Sequence, residues 1–202
     1  MLEKNSRFRE IDDQLLKDAE HFHGRLAPGL YLGFLMVEKV LKELGNCEMI
    51  DAAAESVKCL PDSIQLMTPC TVGNGWLKVF DYGNFAITLY DKKSKEGVRV
   101  KVDLDKIPRG TLFYKWITRE IEEKESDSKV VIEDIKKLKG RIFSLKRVKV
   151  QIEKEKHLPL MNCKKCGESF PVKNNAGGLC MICQGKGYWN EIQNAKIKID
   201  EW

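Results

Sequence analysis

The sequence has no long apolar run and no apolar stretch near its first residue. A membrane-spanning helix needs roughly 18 or more consecutive apolar residues, and no segment of the chain reaches that length. A secretory signal peptide needs an apolar segment behind a charged start, whereas the first residues, MLEKNSRFREIDD, are charged throughout. We therefore expect a cytoplasmic protein without a membrane partner.

The composition is that of a globular protein with cysteines to spare. The chain has 202 residues, of which 43% are hydrophobic and 32% charged. This length and apolar content suit one domain of about 150 residues with a small appendage. The chain also has seven cysteines. In a cytoplasmic protein, cysteines serve as thiols or metal ligands more often than as disulfides, and the odd count agrees with that interpretation.

The net charge of +5 comes mainly from one segment. Residues 129–160 contain ten Lys or Arg and four Asp or Glu. Such an excess can form a patch for an acidic partner such as nucleic acid. The alternative is a solvated helix face, which we favour because Phe143 is the only aromatic residue among the basic ones and nucleic-acid surfaces interleave the two types.

The periodicity of the first two thirds of the chain predicts helices packed on an antiparallel-rich sheet. An amphipathic helix is expected from Ser6 to Gly24, and a mostly buried helix from Pro28 to Gly45. A strand in CEMIDAAAES and a short helix in PDSIQLM follow. Three further strands are expected in WLKVFDYG, FAITLYDK and GVRVKVD, the last two joined as a hairpin. The predicted fold class is α+β.

The remaining segments predict two more parts. TLFYKWITREIEEKE and VVIEDIKKLKGRIFSLK read as helices, and a cysteine module follows. We therefore divide the chain into an α+β core domain over residues 1–127, a basic helical arm over 128–157 and a small C-terminal domain over 158–202. The two helical segments between residues 111 and 145 carry many apolar residues. Because an arm of that kind often packs on a neighbouring protomer, we expect a homodimer.

The strongest motif is a double pair of cysteines in CKKCGESFPVKNNAGGLCMIC. Each Cys-x-x-Cys pair supplies two thiolates from one tight turn, and zinc prefers four such soft ligands in a tetrahedron. We predict a structural zinc bound by Cys163, Cys166, Cys180 and Cys183, in a treble-clef or ribbon-like domain. Four cysteines leave no open position for a substrate. An iron site of the rubredoxin type is the main alternative.

A second group of metal-binding residue types lies in the core domain. Two of the three histidines stand one residue apart in HFHGRLAPG, residues 21–29. Cys59 precedes the short predicted helix, whose dipole favours a thiolate, and Cys70 follows it. Taken alone, each cysteine is better interpreted as a small buried hydrophobic residue, and each histidine as an ordinary hydrogen-bonded ring. Because His23 stands where Gly24 ends the first helix, it can lean toward both cysteines, whereas His21 is expected on the helix surface.

These motifs resemble a known family, that of the E subunit of formylmethanofuran dehydrogenase. The resemblance is carried by FHGRLAPGLYLGF, CLPDSIQLMTPCTVGNGWL, DYGNFAITLYDKKSKEGVRV and the terminal cysteine pairs, in collinear order. The family commonly has His-Gly-His-x-Cys-Pro-Gly where this chain has His23, Arg25 and Ala27 at the three potential ligand positions. The family's two other cysteines fall on Cys59 and Cys70.

The resemblance implies a metal-binding or thiol-lined pocket built from His23, Cys59 and Cys70. Imidazole and thiolate suit a second zinc or another transition metal, and three protein ligands leave a fourth position for water or substrate. The second histidine and the first cysteine of the family are absent here. Their absence indicates either a decayed site or a site in which Arg25, which replaces that histidine, binds an anion beside the pocket.

Three functions fit these observations, and no catalytic residue is predicted. The first is an accessory or stand-alone zinc protein with a metal or ligand pocket, because the chain has no Cys-x-x-Cys-x-x-Cys run and no room for a pterin cofactor. Such a protein can belong to a larger enzyme complex. The second is a module that binds nucleic acid or protein through the zinc domain and the basic arm. The third is a zinc-dependent hydrolase, for which Asp62 is the nearest general base.

Overall fold

The computed structural model describes residues 8–45, 47–121, 127–153, 157–172 and 177–189. The chain divides into two compact units, residues 1–151 and residues 152–202. Within the described residues, no helix has the length and apolar character needed to cross a membrane.

The first unit begins with two helices that the sequence largely predicts. Helix α1 spans Asp13–His23, and the carboxylate of Asp12 caps it by accepting a hydrogen bond from the N–H of Leu15. The predicted start at Ser6 lies outside the described residues. The helix ends at Gly24, whose left-handed φ of 83° glycine adopts without steric cost. Helix α2 spans Pro28–Leu44 and is mostly buried.

The sheet and the remaining helices follow in chain order. Their bounds are β1 Ile50–Ala54, α3 Leu60–Met67, β2 Leu77–Val79, β3 Ala86–Asp91, β4 Glu96–Val102, α4 Leu112–Ile117, α5 Ser128–Leu138 and β5 Phe143–Lys149. The five strands lie in the order β2-β1-β3-β4-β5. The β1–β2 pair is parallel and the other three pairs of this order are antiparallel, so the predicted α+β class with an antiparallel-rich sheet is confirmed.

The core lies between the helices and one face of the sheet. Ala52 on β1 pairs with Leu89 on β3, which pairs with Val98 on β4, so the three side chains line one face. All three are buried, together with Phe34 and Met36 of α2. Helix α2 contacts β3, β4, α3 and α5. It is therefore the central helix of the unit, which explains why it is apolar on almost every side.

The prediction of a helical arm over residues 128–157 is wrong in its second half. Helix α5 ends where Lys139 and Gly140 both adopt left-handed φ, and the chain then forms β5 at the sheet edge. Phe143 and Leu145 alternate with polar residues and pair with Val102 and Val100 of β4. Period-two alternation favours a strand, but the dense lysines and arginines of this segment conceal it.

The apolar residues of the segment 111–145 pack inside their own unit. Phe113, Ile135 and Ile142 are fully buried there, and Ile132 and Phe143 are nearly so. These side chains complete the core between α4, α5 and the sheet. They are therefore not an exposed apolar arm, and the expected homodimer loses the observation on which it was based.

The second unit is small and contains a two-stranded hairpin. Strand β6 spans Leu160–Asn162 and pairs antiparallel with strand β7, Ser169–Pro171. A short helical turn spans Ile182–Lys186. Among the described residues, the largely buried side chains of this unit are those of Cys163 and Cys180. Small units with so little buried apolar surface are commonly stabilised by a bound metal.

We predict that Gly33→Ala destabilises the first unit. A Cβ at Gly33 would overlap Ser63 at the crossing of α2 and α3, lying 2.7 Å from Ser63 Cβ. Overpacking of about 1–3 kcal/mol outweighs the roughly 1 kcal/mol that alanine gains over glycine in a helix. Denaturant unfolding should therefore show a lower free energy of unfolding. Gly73→Ala, where a Cβ meets open space, is the control and should be no less stable than the natural chain. Equal stabilities of the two variants would contradict the tight crossing.

Candidate functional site

The four cysteines of the second unit form one cluster. The sulfur atoms of Cys163, Cys166, Cys180 and Cys183 all lie within 4.8 Å of one another. Cys166 Sγ is 3.7 Å from Cys180 Sγ, and two thiolates on one tetrahedral zinc ion stand about 3.8 Å apart. The predicted ligands therefore come together as a group that could hold a metal ion.

The backbone stabilises the thiolate of one cysteine in this cluster, Cys163. The N–H of Cys180 donates to Cys163 Sγ at 3.3 Å. Backbone N–H groups of Cys180 and Cys166 lower the pKa of the Cys163 thiol to about 6, because they stabilise its charged form. Gly167, with a φ of 80°, closes the turn by donating its N–H to the carbonyl of Cys163. Four cysteine sulfurs are the number that one tetrahedral metal ion takes as ligands, so the cluster could hold such an ion.

In the first unit, the His23 ring lies between Asp62, in the first turn of α3, and Cys59, the N-cap residue of that helix. His23 is the last residue of α1, and its ring is partly buried. His23 Nδ1 is 2.6 Å from Asp62 Oδ2, and His23 Nε2 is 3.8 Å from Cys59 Sγ. A carboxylate, an imidazole and a thiol thus stand in a row. The predicted proximity of His23 to Cys59 is present in the structure.

Cys59 has a strained backbone. Its φ of 60° and ψ of −54°, together with the hydrogen bond from the N–H of Leu60 to the carbonyl of Lys58 at 2.6 Å, define a γ-turn of the rare type. The turn puts Cys59 at the N-cap of α3. Strain of this kind costs about 1–3 kcal/mol, and it concentrates at functional sites.

Gly29 makes room for the thiol of Cys59. A Cβ at Gly29 would lie 3.0 Å from Cys59 Sγ and 3.5 Å from the ring of Phe85. Phe85 in turn packs against Trp116, with ring centroids 5.8 Å apart. The thiol therefore lies close to the first turn of α2 and to the imidazole of His23, and the Phe85 ring lies beside the same turn.

The other cysteines of the first unit do not join this group. Cys70 is fully buried, and its thiol donates to the carbonyl of Ile50; burial raises its pKa to about 11. Cys47 donates to Met49 O and to Asp91 Oδ2, and burial first, then Asp91, raise its pKa to about 11. Among the described residues, only the four-cysteine cluster has three or more ligand atoms within 4.8 Å of one another. The predicted trio with Cys70 is thus not assembled in this structure.

The two remaining predictions for this stretch concern His21 and Arg25, and both side chains are exposed. Their placement agrees with a surface position for His21. The anion expected beside Arg25 stays a prediction. Sequence reasoning missed the contact between Asp62 and His23, although Asp62 stands in the first turn of α3, three residues after Cys59. The Cys-x-x-Asp spacing places Asp62 near Cys59 on α3, but no local pattern pairs Asp62 with a histidine 39 residues away.

We predict that Cys59→Gly is more stable than Cys59→Ala by about 1 kcal/mol. Alanine keeps the strain of about 1–3 kcal/mol at this φ, whereas glycine removes it and adds only about 0.4–1 kcal/mol of entropy to the unfolded chain. Denaturant unfolding measures both variants. The matched pair at Cys70, which has no positive φ, should show the opposite order. An alanine variant at least as stable as the glycine variant at position 59 would show that the turn is not strained.

Comparison with known proteins agrees with this fold. The model of the FmdE family, described as FmdE, molybdenum formylmethanofuran dehydrogenase operon, matches residues 22–151. A probable S-adenosyl-L-methionine-binding protein of Archaeoglobus fulgidus is 31% identical over 209 residues. That match covers 93% of this chain and 57% of the relative, so the chain spans little more than half of its length.

A solved structure shows the same fold. It is that of a tungsten formylmethanofuran dehydrogenase FmdE-like protein from Syntrophus aciditrophicus, which is 35% identical and has a TM-score of 0.77. The match covers 88% of this chain and 94% of the other. The family model covers the α+β unit with its His23–Cys59 pair, and the solved structure extends the likeness over most of the chain. This chain belongs to the FmdE family.

Proposed function

We propose that this chain is a zinc-binding FmdE protein with two metal sites of different kinds. The four-cysteine cluster holds a structural zinc, and the core holds a second transition metal at His23 and Cys59. The protein acts as an accessory or stand-alone protein and does not itself carry molybdenum or tungsten redox chemistry. The observation that carries the core site is the distance of 3.8 Å between His23 Nε2 and Cys59 Sγ.

The cysteine cluster supports zinc by its chemistry. Four sulfur ligands in tetrahedral reach are typical of structural zinc sites, and soft thiolates select zinc or iron over harder ions. The unit around the cluster buries little apolar surface of its own. Zinc bound here would supply much of the free energy that folds the unit.

The core pair fits a transition metal by distance and by residue type. Zinc binds a thiolate at about 2.3 Å and an imidazole at about 2.0–2.1 Å, so the two ligand atoms on one tetrahedral ion stand about 3.6 Å apart. The observed 3.8 Å is close to that value. The pair is also partly exposed, with 19% of the His23 side chain accessible, so that a small molecule can reach it.

Two protein ligands define what the core site can do. They leave positions on the ion for an external ligand, and a metal held there would act as a Lewis acid toward a bound carbonyl or similar oxygen. The protein's own contribution is to orient the imidazole through Asp62, to fix the thiol by the γ-turn, and to leave space for the thiol at Gly29. The second unit therefore carries a site in which all four ligand positions are cysteines, and the first unit carries a site with positions left for an external ligand.

Element-resolved metal analysis of the full-length chain tests this proposal. We expect two metal ions per chain in the natural protein and one in Cys180→Ser, because that change removes a thiolate from the closed cluster. We also expect one in His23→Ala, which removes the imidazole from the core pair. His21→Ala is the matched control and should keep two. One ion per chain in the natural protein, or two in His23→Ala, would rule out the core site.

A further inference from the structure

We infer that Asp62 is a positioning residue of the core site. Its carboxylate holds the imidazole of His23 in the one tautomer and orientation that present Nε2 to Cys59 Sγ. This inference rests on the proposed function, because it concerns how the core site is prepared for a metal. Neither the family resemblance nor the spacing of the cysteines and histidines assigns this role to Asp62.

The hydrogen bond between the two side chains determines where the imidazole proton lies. An ionised carboxylate can only accept a hydrogen bond, so the short contact of 2.6 Å to Asp62 Oδ2 requires a proton on His23 Nδ1. In a neutral imidazole the other nitrogen then carries the lone pair. That nitrogen, Nε2, is the atom that faces Cys59 Sγ.

The start of α3 provides the partners of both imidazole nitrogens of His23. Cys59 is the N-cap residue of α3, and Asp62 follows three residues later in its first turn. The carboxylate and the thiol therefore project from the same rigid element, and His23 enters between them from the end of α1. Metal-ligating histidines commonly donate their second ring N–H to a carboxylate, which fixes the ring and raises its basicity. The arrangement here has those parts.

Asp62 has other partners that a test must separate from this role. Gln65 Nε2 donates to Asp62 Oδ1 at 3.4 Å, and the contact of Asp62 with His23 also joins α1 to α3. A residue that merely holds the two helices together would change stability without changing the imidazole proton. The deciding readout is therefore the tautomer of His23, which is measured in the metal-free core and does not depend on metal binding.

The first experiment is long-range proton–nitrogen NMR of the His23 ring in the full chain, with a chelator that leaves the zinc of the cysteine cluster in place. We expect His23 to carry its proton on Nδ1 in the natural protein and to become a mixture of tautomers in Asp62→Ala. Glu20→Gln, which removes a charge from an exposed residue of α1, should leave the tautomer unchanged. An Nε2–H tautomer in the natural protein, or no change in Asp62→Ala, would overturn the inference.

The second experiment uses cobalt(II) as the probe on the same chains. Asp62→Asn should bind cobalt about 10–100-fold more weakly than the natural chain, with the same stoichiometry at saturation and the same thiolate-to-cobalt absorption band from Cys59. Equal affinity in the two chains would overturn the inference while leaving the core metal site intact. If the natural chain and Cys59→Ala show the same thiolate-to-cobalt absorption, the core metal site itself is refuted. The NMR result then decides the role of Asp62.

Discussion

The contact between the end of α1 and the first turn of α3 sets the geometry of the core site. His23 is the last residue of α1, and the helix ends at Gly24, where the backbone turns into the left-handed region. The His23 side chain therefore lies at the end of the helix, beside the first turn of α3. Asp62 then holds the ring at one nitrogen, and the other nitrogen is left to face Cys59. The contact thus brings the imidazole at the end of α1 to the thiol at the N-cap of α3.

The rest of the first unit holds α3 in the place that this contact needs. Gly33 lets α3 approach α2 closely, and Ser63 Oγ bridges the two helices by donating to the carbonyl of Leu30 at 3.0 Å. Gly29, one turn earlier on α2, leaves the space that the thiol of Cys59 occupies. The packing of α3 on α2 and the space at Gly29 thus hold the strained turn at Cys59 in place. Backbone strain persists in a folded protein when the surrounding structure holds it in this way.

Sequence patterns predicted those parts whose chemistry is local. The double Cys-x-x-Cys motif identified the four clustered cysteines because each pair is made by one turn, and the period-two and helical patterns identified most elements. The patterns failed at β5, where basic side chains mask the alternation, and at Cys70, whose burial against Ile50 depends on the path of β1. The contact of Asp62 with His23 joins residues 39 apart in sequence, so no local pattern reveals it. The spacing of residues in the sequence identifies candidate site residues, but the tertiary structure determines which of these candidates lie together.

The proposed function depends most on a metal ion held in the core between His23 and Cys59, separate from the cluster in the second unit. A crystal structure of the full-length, zinc-loaded chain, with anomalous scattering measured above and below the zinc edge, tests for that ion directly. We expect two anomalous peaks per chain, one among the sulfurs of the four clustered cysteines and one within bonding distance of both His23 Nε2 and Cys59 Sγ. A single peak at the cysteine cluster, with no density between His23 and Cys59, would contradict the core site.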